Sequence, residues 1–188
     1  MAMPANRTDW TVELLDALPD DGQRYELIDG ELFVTPAPSD LHQLVAGLLC
    51  ARLWAYLRPW NVGRAFISPS DVRRADRARN RLQPDVFVIR LRDGGRPAYP
   101  FELSDLLLAV EVESPSNPAY DYQTKRELYL LGGVPEYWVV SPVARTLARW
   151  RGVVDPGELV TGRLEWQPGG MPEAFVLDLP EFFEEAFG

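Results

Sequence analysis

Leu106-Leu107-Leu108-Ala109-Val110-Glu111-Val112-Glu113 is a nearly unbroken apolar run that ends on carboxylates. Such a run is what a β-strand covered on both faces presents. Side chains alternate along a strand, so Glu111 and Glu113 share one face while Val110 and Val112 take the other. Upstream stands a second run of the same kind, Pro84-Asp85-Val86-Phe87-Val88-Ile89, opened by an acid. A carboxylate late in a buried strand costs free energy unless it is paired or binds a metal. Downstream is Lys125, the only lysine; the other eighteen basic residues are arginine. Arginine is permanently charged and forked, whereas lysine is a compact point charge that can approach a reacting oxygen. Two acid-bearing strands and one lysine are the parts of a metal-dependent phosphodiesterase site. Plainer explanations exist for the members taken singly. Pro-Asp is ordinary turn chemistry, and Asp121 with Lys125 is an i,i+4 ion pair.

Outward from these strands, the order of elements suggests an α/β fold, a mixed sheet flanked by helices. Thr11 to Leu18 reads as a short helix capped by Thr8 or Asp9. Gln23–Ile28 and Glu31–Thr35 are strands joined by Asp29-Gly30, a type I′ hairpin signal. Pro36-Ala-Pro38 breaks the pattern. Ser39 then caps a long helix to about Leu57, with Leu41, Leu44, Val45, Leu48, Leu49 and Leu53 at helical spacing. Asn61–Ile67 and Asp71–Arg73 look like strands, residues 90 to 104 like a loop, and Ser114–Pro118 like a tight loop. Asp121 caps a predicted helix to Leu131, closed by Gly132-Gly133. Glu136–Val140 and Thr146–Trp150 form a hairpin. The tail, 153 to 179, reads as short antiparallel pieces before an amphipathic helix at Pro180–Phe187. No repeat or linker divides the chain, so residues 1–188 are expected to form a single domain.

No apolar run reaches the roughly 18 residues of a membrane span, and the first residues lack the apolar stretch of a signal peptide. A cytoplasmic location is the default expectation. The lone cysteine, Cys50, excludes an intramolecular disulfide. No Cys/His cluster has zinc-binding spacing. A net charge of −9 argues against coating nucleic acid through a broad basic face. It leaves room for a local basic groove. Residues 73 to 81, Arg-Arg-Ala-Asp-Arg-Ala-Arg-Asn-Arg, are either a solvated loop or a phosphate-contacting one, with Arg77, Arg79 and Arg81 as the candidate DNA contacts.

Phosphodiester hydrolysis needs a nucleophilic water and neutralisation of the charge that builds on the phosphate. Mg²⁺ or Mn²⁺ does both when held by one or two carboxylates with open water positions. Asp85 and Glu111 would supply them if their strands are neighbours, since adjacent strands lie about 4.8 Å apart. Lys125, from the following helix, would approach the attacking water. His42, the sole histidine, is expected in the first helical turn as a structural or substrate-proximal hydrogen-bonding residue, with general acid as the alternative. Glu26 and Glu31 flank the hairpin turn; an outer metal ligand is one role open to either, but exposed hairpin carboxylates are usually solvated, and that is the expectation. Tyr137 and Trp138 are expected in the core.

The residues together resemble a known family. Tyr25-Glu-Leu-Ile-Asp-Gly-Glu31, Pro36-Ala-Pro-Ser39 with His42, Pro84-Asp85, Val110-Glu-Val-Glu-Ser-Pro-Ser-Asn117, Asp121, Lys125, Tyr129 and Gly133-Val-Pro-Glu-Tyr-Trp-Val-Val-Ser-Pro142 carry the likeness. The chain resembles the PD-(D/E)XK, restriction-endonuclease-like superfamily, and within it the Uma-type endonucleases. The resemblance implies a restriction-endonuclease-like mixed sheet with a nuclease-like core at about 23–150, Asp85 and Glu111 as ligands of Mg²⁺ or Mn²⁺, and DNA as substrate. In the superfamily's usual pattern the lysine stands two residues after the second acid, where this chain has Glu113. The family resembled moves it to the next helix, at Lys125. Glu113 is then open to a role as a third ligand or a ligand of a second metal ion, assisting at the metal; Glu31, His42 and Asp121 are the candidate accessory residues. Many nucleases of this fold pair two sites to cut two strands, which implies a homodimer by analogy. The rival reading is a catalytically idle relative serving as a binding or assembly module.

Overall fold

A computed structural model describes residues 9–19, 21–35, 38–74, 79–92, 95–113 and 119–188. Arg77, Thr8, the Pro36-Ala37 break and the 114–118 loop lie outside them. The chain runs through α1 (Val12–Asp16), β1 (Arg24–Ile28), β2 (Glu31–Thr35), α2 (Asp40–Leu57), β3 (Gly63–Ile67), β4 (Val72–Arg73), β5 (Arg81–Leu82), β6 (Val86–Arg90) and β7 (Phe101–Glu102). A 3-10 turn (Leu103–Asp105) leads into β8 (Leu106–Val112), and a π-helix (Tyr120–Lys125) runs directly into α3 (Arg126–Leu131). Then follow β9 (Tyr137–Ser141), β10 (Thr146–Trp150), β11 (Glu158–Val160), β12 (Arg163–Trp166), β13 (Phe175–Asp178) and α4 (Leu179–Phe187).

The central sheet has the order β11-β10-β9-β8-β6-β3. It is mixed: β8 and β9 are parallel and the other neighbours antiparallel. The connection from β8 to β9 carries the π-helix and α3, as a parallel crossover requires. Every residue of β8 is buried. Its Leu108, Val110 and Val112 pack with Val45, Leu49, Leu53 and Leu57 of α2 on one face. On the other, Ala109 meets Phe87, Tyr129 and Tyr137. Each such Leu or Val contributes about 1.5–3 kcal/mol by leaving water. Trp138 and Tyr137 are fully buried, one in each layer, as the sequence suggests.

A second sheet, β2-β1-β5-β4-β7, lies beside the first. Its hairpin turn has φ of 48° at Asp29 and 87° at Gly30, the paired positive values that Asp-Gly selects. Alternation along β1 sends Leu27 and Tyr25 toward α1, while Arg24, Glu26 and Ile28 face the other way. Two stretches read as irregular are ordered pieces of this sheet. Arg81–Leu82 at the end of the arginine-rich loop is β5, and Phe101–Glu102 within the 90–104 loop is β7, parallel to β4.

Several boundaries differ from expectation. Thr11, not Thr8 or Asp9, caps α1, accepting from Leu14 N–H. Leu41 and Leu44 belong to the exposed side of α2, the buried stripe being Val45, Ala46, Leu49, Leu53 and Leu57. The tail is a structural part of the core: Leu164, Trp166, Phe175, Leu177, Phe182 and Phe183 pack in the same cluster as α2 and β8. The packed core thus runs well past residue 150. Among the described residues no helix is long and apolar enough to cross a membrane.

Candidate active site

Asp85 immediately precedes β6, and the antiparallel register that pairs Val86 with Val110 sets it across from Glu111. Both follow the alternation of the layer that holds Phe87 and Ala109, so they point to one face of the sheet. Glu111 is 1% exposed and Asp85 4%, which makes their partners decisive. Asp85 Oδ2 accepts from Val112 N–H at 2.9 Å and from His42 Nε2 at 3.0 Å, and Oδ1 accepts from Arg24 Nη1 at 2.9 Å. Since an ionised carboxylate only accepts, His42 carries its proton on Nε2. His42 reaches the site because Ser39 caps α2, its Oγ accepting from His42 N–H.

Lys125 comes from the π-helix and is fully enclosed. Its Nζ is 3.0 Å from Glu26 Oε2, 3.1 Å from Glu111 Oε2 and 3.9 Å from Asp121 Oδ1. The tyrosine of α3, Tyr129, donates its hydroxyl to Glu111 Oε1 at 2.8 Å. Tyr137 donates to the Asp121 carbonyl at 2.9 Å. Asp121 does not cap the helix as its sequence position suggests. Ala119 already has helical dihedrals, and Asp121 lies inside the first turn, buried. That turn closes i→i+5 rather than i→i+4, a rare geometry that recurs at functional sites.

Glu26 is the residue that sequence reasoning undervalued. It was expected to be solvated beside a hairpin turn, yet it is 1% exposed. Its Oε1 accepts from Gln83 N–H at 2.9 Å while Oε2 holds the lysine. The signal was present in alternation: β1 is covered on both faces, one by α1, the other by the site. Arg24, on the same face, was not singled out at all. Glu31 is exposed at the hairpin. Glu113 is partly buried just beyond β8, where its N–H donates to the Val140 carbonyl; its carboxylate is not among those that hold Lys125. Arg81 is bonded to the exposed Asp16 and lies 3.5 Å from Asp71. The Arg79 guanidinium lies over Gly30, where a Cβ would come within 2.0 Å of it.

The site carries an excess of acid. Glu26, Asp85, Glu111 and Asp121 face the permanent cations Arg24 and Lys125. The protonation of its members follows. Burial tends to raise the Asp85 carboxyl, but the His42 hydrogen bond and the Arg24 charge outweigh it and hold the group well below the usual range. Burial drives Glu111 well above its ordinary value; Lys125 opposes this, and Asp85 and Glu26 add to it. Burial alone would lower Lys125, yet Glu111 and Glu26 hold it above the ordinary range. Glu111 is thus the carboxyl of the cluster whose neutral form burial favours, with Lys125 opposing.

A carboxyl with a raised folded pKa costs stability above its unfolded value, and the cost grows as pH rises toward the folded one. Glu111→Gln should therefore raise the melting temperature of the metal-free protein. The gain should be small near about pH 5 and larger near about pH 8. Thermal melts in chelator at both values check this; a gain that shrinks with rising pH would show Glu111 ionised beside Lys125 without penalty.

Among the described residues no group of three or more His, Cys, Asp or Glu side chains forms a closed metal cage. Mg²⁺ or Mn²⁺ is held by one or two carboxylates and keeps several waters; Asp85 and Glu111 supply two carboxylates on one face, their oxygens taken by Arg24, His42, Val112 N–H, Tyr129 and Lys125. The uncompensated negative charge around them is the second feature that fits a divalent cation.

Comparison with known proteins agrees with this architecture. The profile of the Uma2 family, described as "Putative restriction endonuclease", matches residues 12–180. Among solved structures, a putative nuclease belonging to DUF820 from Anabaena variabilis superimposes with a TM-score of 0.78 at 19% identity, covering 95% of this chain and 99% of that one. The mixed sheet flanked by helices is thus a nuclease-like fold. No curated protein matches the chain.

Proposed function

Because the chain belongs to the Uma2 family of putative restriction endonucleases, we propose that it is a divalent-metal-dependent endonuclease acting on DNA. The observation that carries this reading is the buried Glu26–Lys125–Glu111 array beside Asp85, acid in excess and closed by the only lysine of the chain. Asp85 and Glu111 would hold Mg²⁺ or Mn²⁺. The ion supplies charge neutralisation at the phosphate and a more acidic water.

The chain's own groups do the rest. Val112 N–H and the His42 ring fix the Asp85 carboxylate. Tyr129 fixes one oxygen of Glu111 and leaves the other to Lys125. The Lys125 ammonium orients the attacking water and offsets charge developing on the phosphate, a role suited to a compact cation. Arg24 now neutralises Asp85 and would have to yield part of that contact when the ion enters. Glu113, two residues after Glu111, would assist at the rim. On this reading Arg79 and Arg81 shape the hairpin sheet before they meet any phosphate.

A second reading has one observation in its favour. Asp85 already has a cation, a ring N–H and a backbone N–H, an arrangement complete without an ion. An idle relative acting as a binding or assembly module would look this way. Calorimetric titration with Mn²⁺, followed by single-turnover cleavage of a DNA duplex, separates the two. The nuclease reading expects saturable Mn²⁺ binding and Mn²⁺-dependent cleavage; no heat and no cleavage would leave the scaffold reading.

A further inference from the structure

Tyr120 opens the π-helix, and its hydroxyl is buried with no hydrogen-bond partner among the described residues. Its ring is fully used. The centroid lies 4.8 Å from that of Phe33, and Lys125 Nζ stands 5.3 Å from it on the ring face. Both contacts need only a ring, so phenylalanine would make them equally well. A buried hydroxyl without a partner weakens a fold. Packing therefore explains the ring of Tyr120 and leaves its oxygen unexplained.

The ring that carries that oxygen borders the site: Lys125 Nζ stands over its face and in turn holds Glu26 and Glu111. Burial first, then the charge of Glu26, push the phenol well above its usual value, with Lys125 opposing and Glu111 and Asp121 adding. It stays protonated and offers one donor and two acceptor positions. The helix geometry makes the placement specific. In an α-helix five residues turn the chain by about 500°, leaving the two side chains about 140° apart. The i→i+5 closure of a π-turn brings them onto one side. Tyr120 and Lys125 share a side only because this turn is wide.

We propose that the Tyr120 hydroxyl is a catalytic group which, with the Lys125 ammonium, holds the water that attacks the phosphodiester. The inference rests on the nuclease reading and names a residue that reading does not require. In the step, the water oxygen bonds to phosphorus and the bond from phosphorus to the leaving sugar oxygen breaks. One water proton ends on that oxygen and the other stays with the new phosphomonoester or passes to solvent. Tyr120 undergoes no net proton change. Its oxygen accepts a hydrogen bond from the water and so aims the water's lone pair, an effect of orientation.

Tyr120→Phe removes the oxygen and keeps both ring contacts. The melting temperature should stay level or rise, and Mn²⁺ affinity by calorimetry should match the parent, because Asp85 and Glu111 are untouched. Single-turnover cleavage of a DNA duplex in Mn²⁺ should slow at least about tenfold, equivalent to roughly 1.4 kcal/mol. Cleavage equal to the parent's overturns the inference alone. A fall in melting temperature together with Mn²⁺ affinity also overturns it, by making the hydroxyl a structural group. A parent that neither binds Mn²⁺ nor cleaves brings down the nuclease reading and this inference with it.

Discussion

Replacing Lys125 with methionine should destabilise the metal-free protein by about 3–5 kcal/mol, the usual effect of removing one partner from a buried ion pair. Methionine is close in length and fills the same channel, so lost packing is not the cause. The cause is Glu26 and Glu111, left 3.0 and 3.1 Å from a position that no longer carries charge. They will take up protons to compensate, so the loss should be greater at neutral than at acid pH. Urea unfolding at two pH values measures it. A loss under about 1 kcal/mol would place the pair in the class of exposed salt bridges. Lys125→Arg keeps the charge, but its larger head must enter an enclosed space, and overpacking costs about 1–3 kcal/mol. At temperatures where the variant stays folded, its cleavage should still fall at least about tenfold, because a guanidinium cannot take the lysine's position beside the water. Parent-like cleavage by Lys125→Arg would make the lysine a structural charge only.

Asp85→Ala should abolish Mn²⁺ binding and with it cleavage. The substitution also strips Arg24 and His42 of their shared acceptor and leaves Val112 N–H unpaired. An unfolded variant would give the same silence, so Asp85→Asn is the companion. Its amide oxygen still accepts from Val112 N–H, and the fold should survive. Both variants should bind Mn²⁺ at least about tenfold more weakly than the parent, a difference of roughly 1.4 kcal/mol or more. Folded Asp85→Asn with full Mn²⁺ affinity would mean the ion, if it binds, uses other ligands.

The central sheet was legible because its signal is a run of side chains that water excludes on both faces. Pro84–Ile89 and Leu106–Glu113 have no other economical fold, and two buried acids within such runs point to chemistry. The Ser39 cap and the Asp29-Gly30 turn were legible for a different reason: each is a local rule that one or two residues satisfy. What was not legible depends on layers meeting. Nothing within Tyr25-Glu26-Leu27-Ile28 says that both faces of a short hairpin strand will be covered. Glu26 therefore looked solvated, and Arg24 drew no notice. The π-turn was equally hidden, since Tyr120–Lys125 has an ordinary helical composition. The tail's short antiparallel strands were legible from their Pro and Gly breaks, but their packing against α2 and β8 was not, because it too depends on layers meeting.

The burial of the sole lysine has a consequence for handling the protein. With Lys125 at 3% exposure, the folded surface of these 188 residues offers no side-chain amine. Amine-directed labels and crosslinkers will find nothing to react with along the native side chains. Once the chain opens, a single primary amine appears, at a known position in the middle of the sequence. Acylation at Lys125, read by mass, is thus a built-in reporter of unfolding that needs no introduced probe.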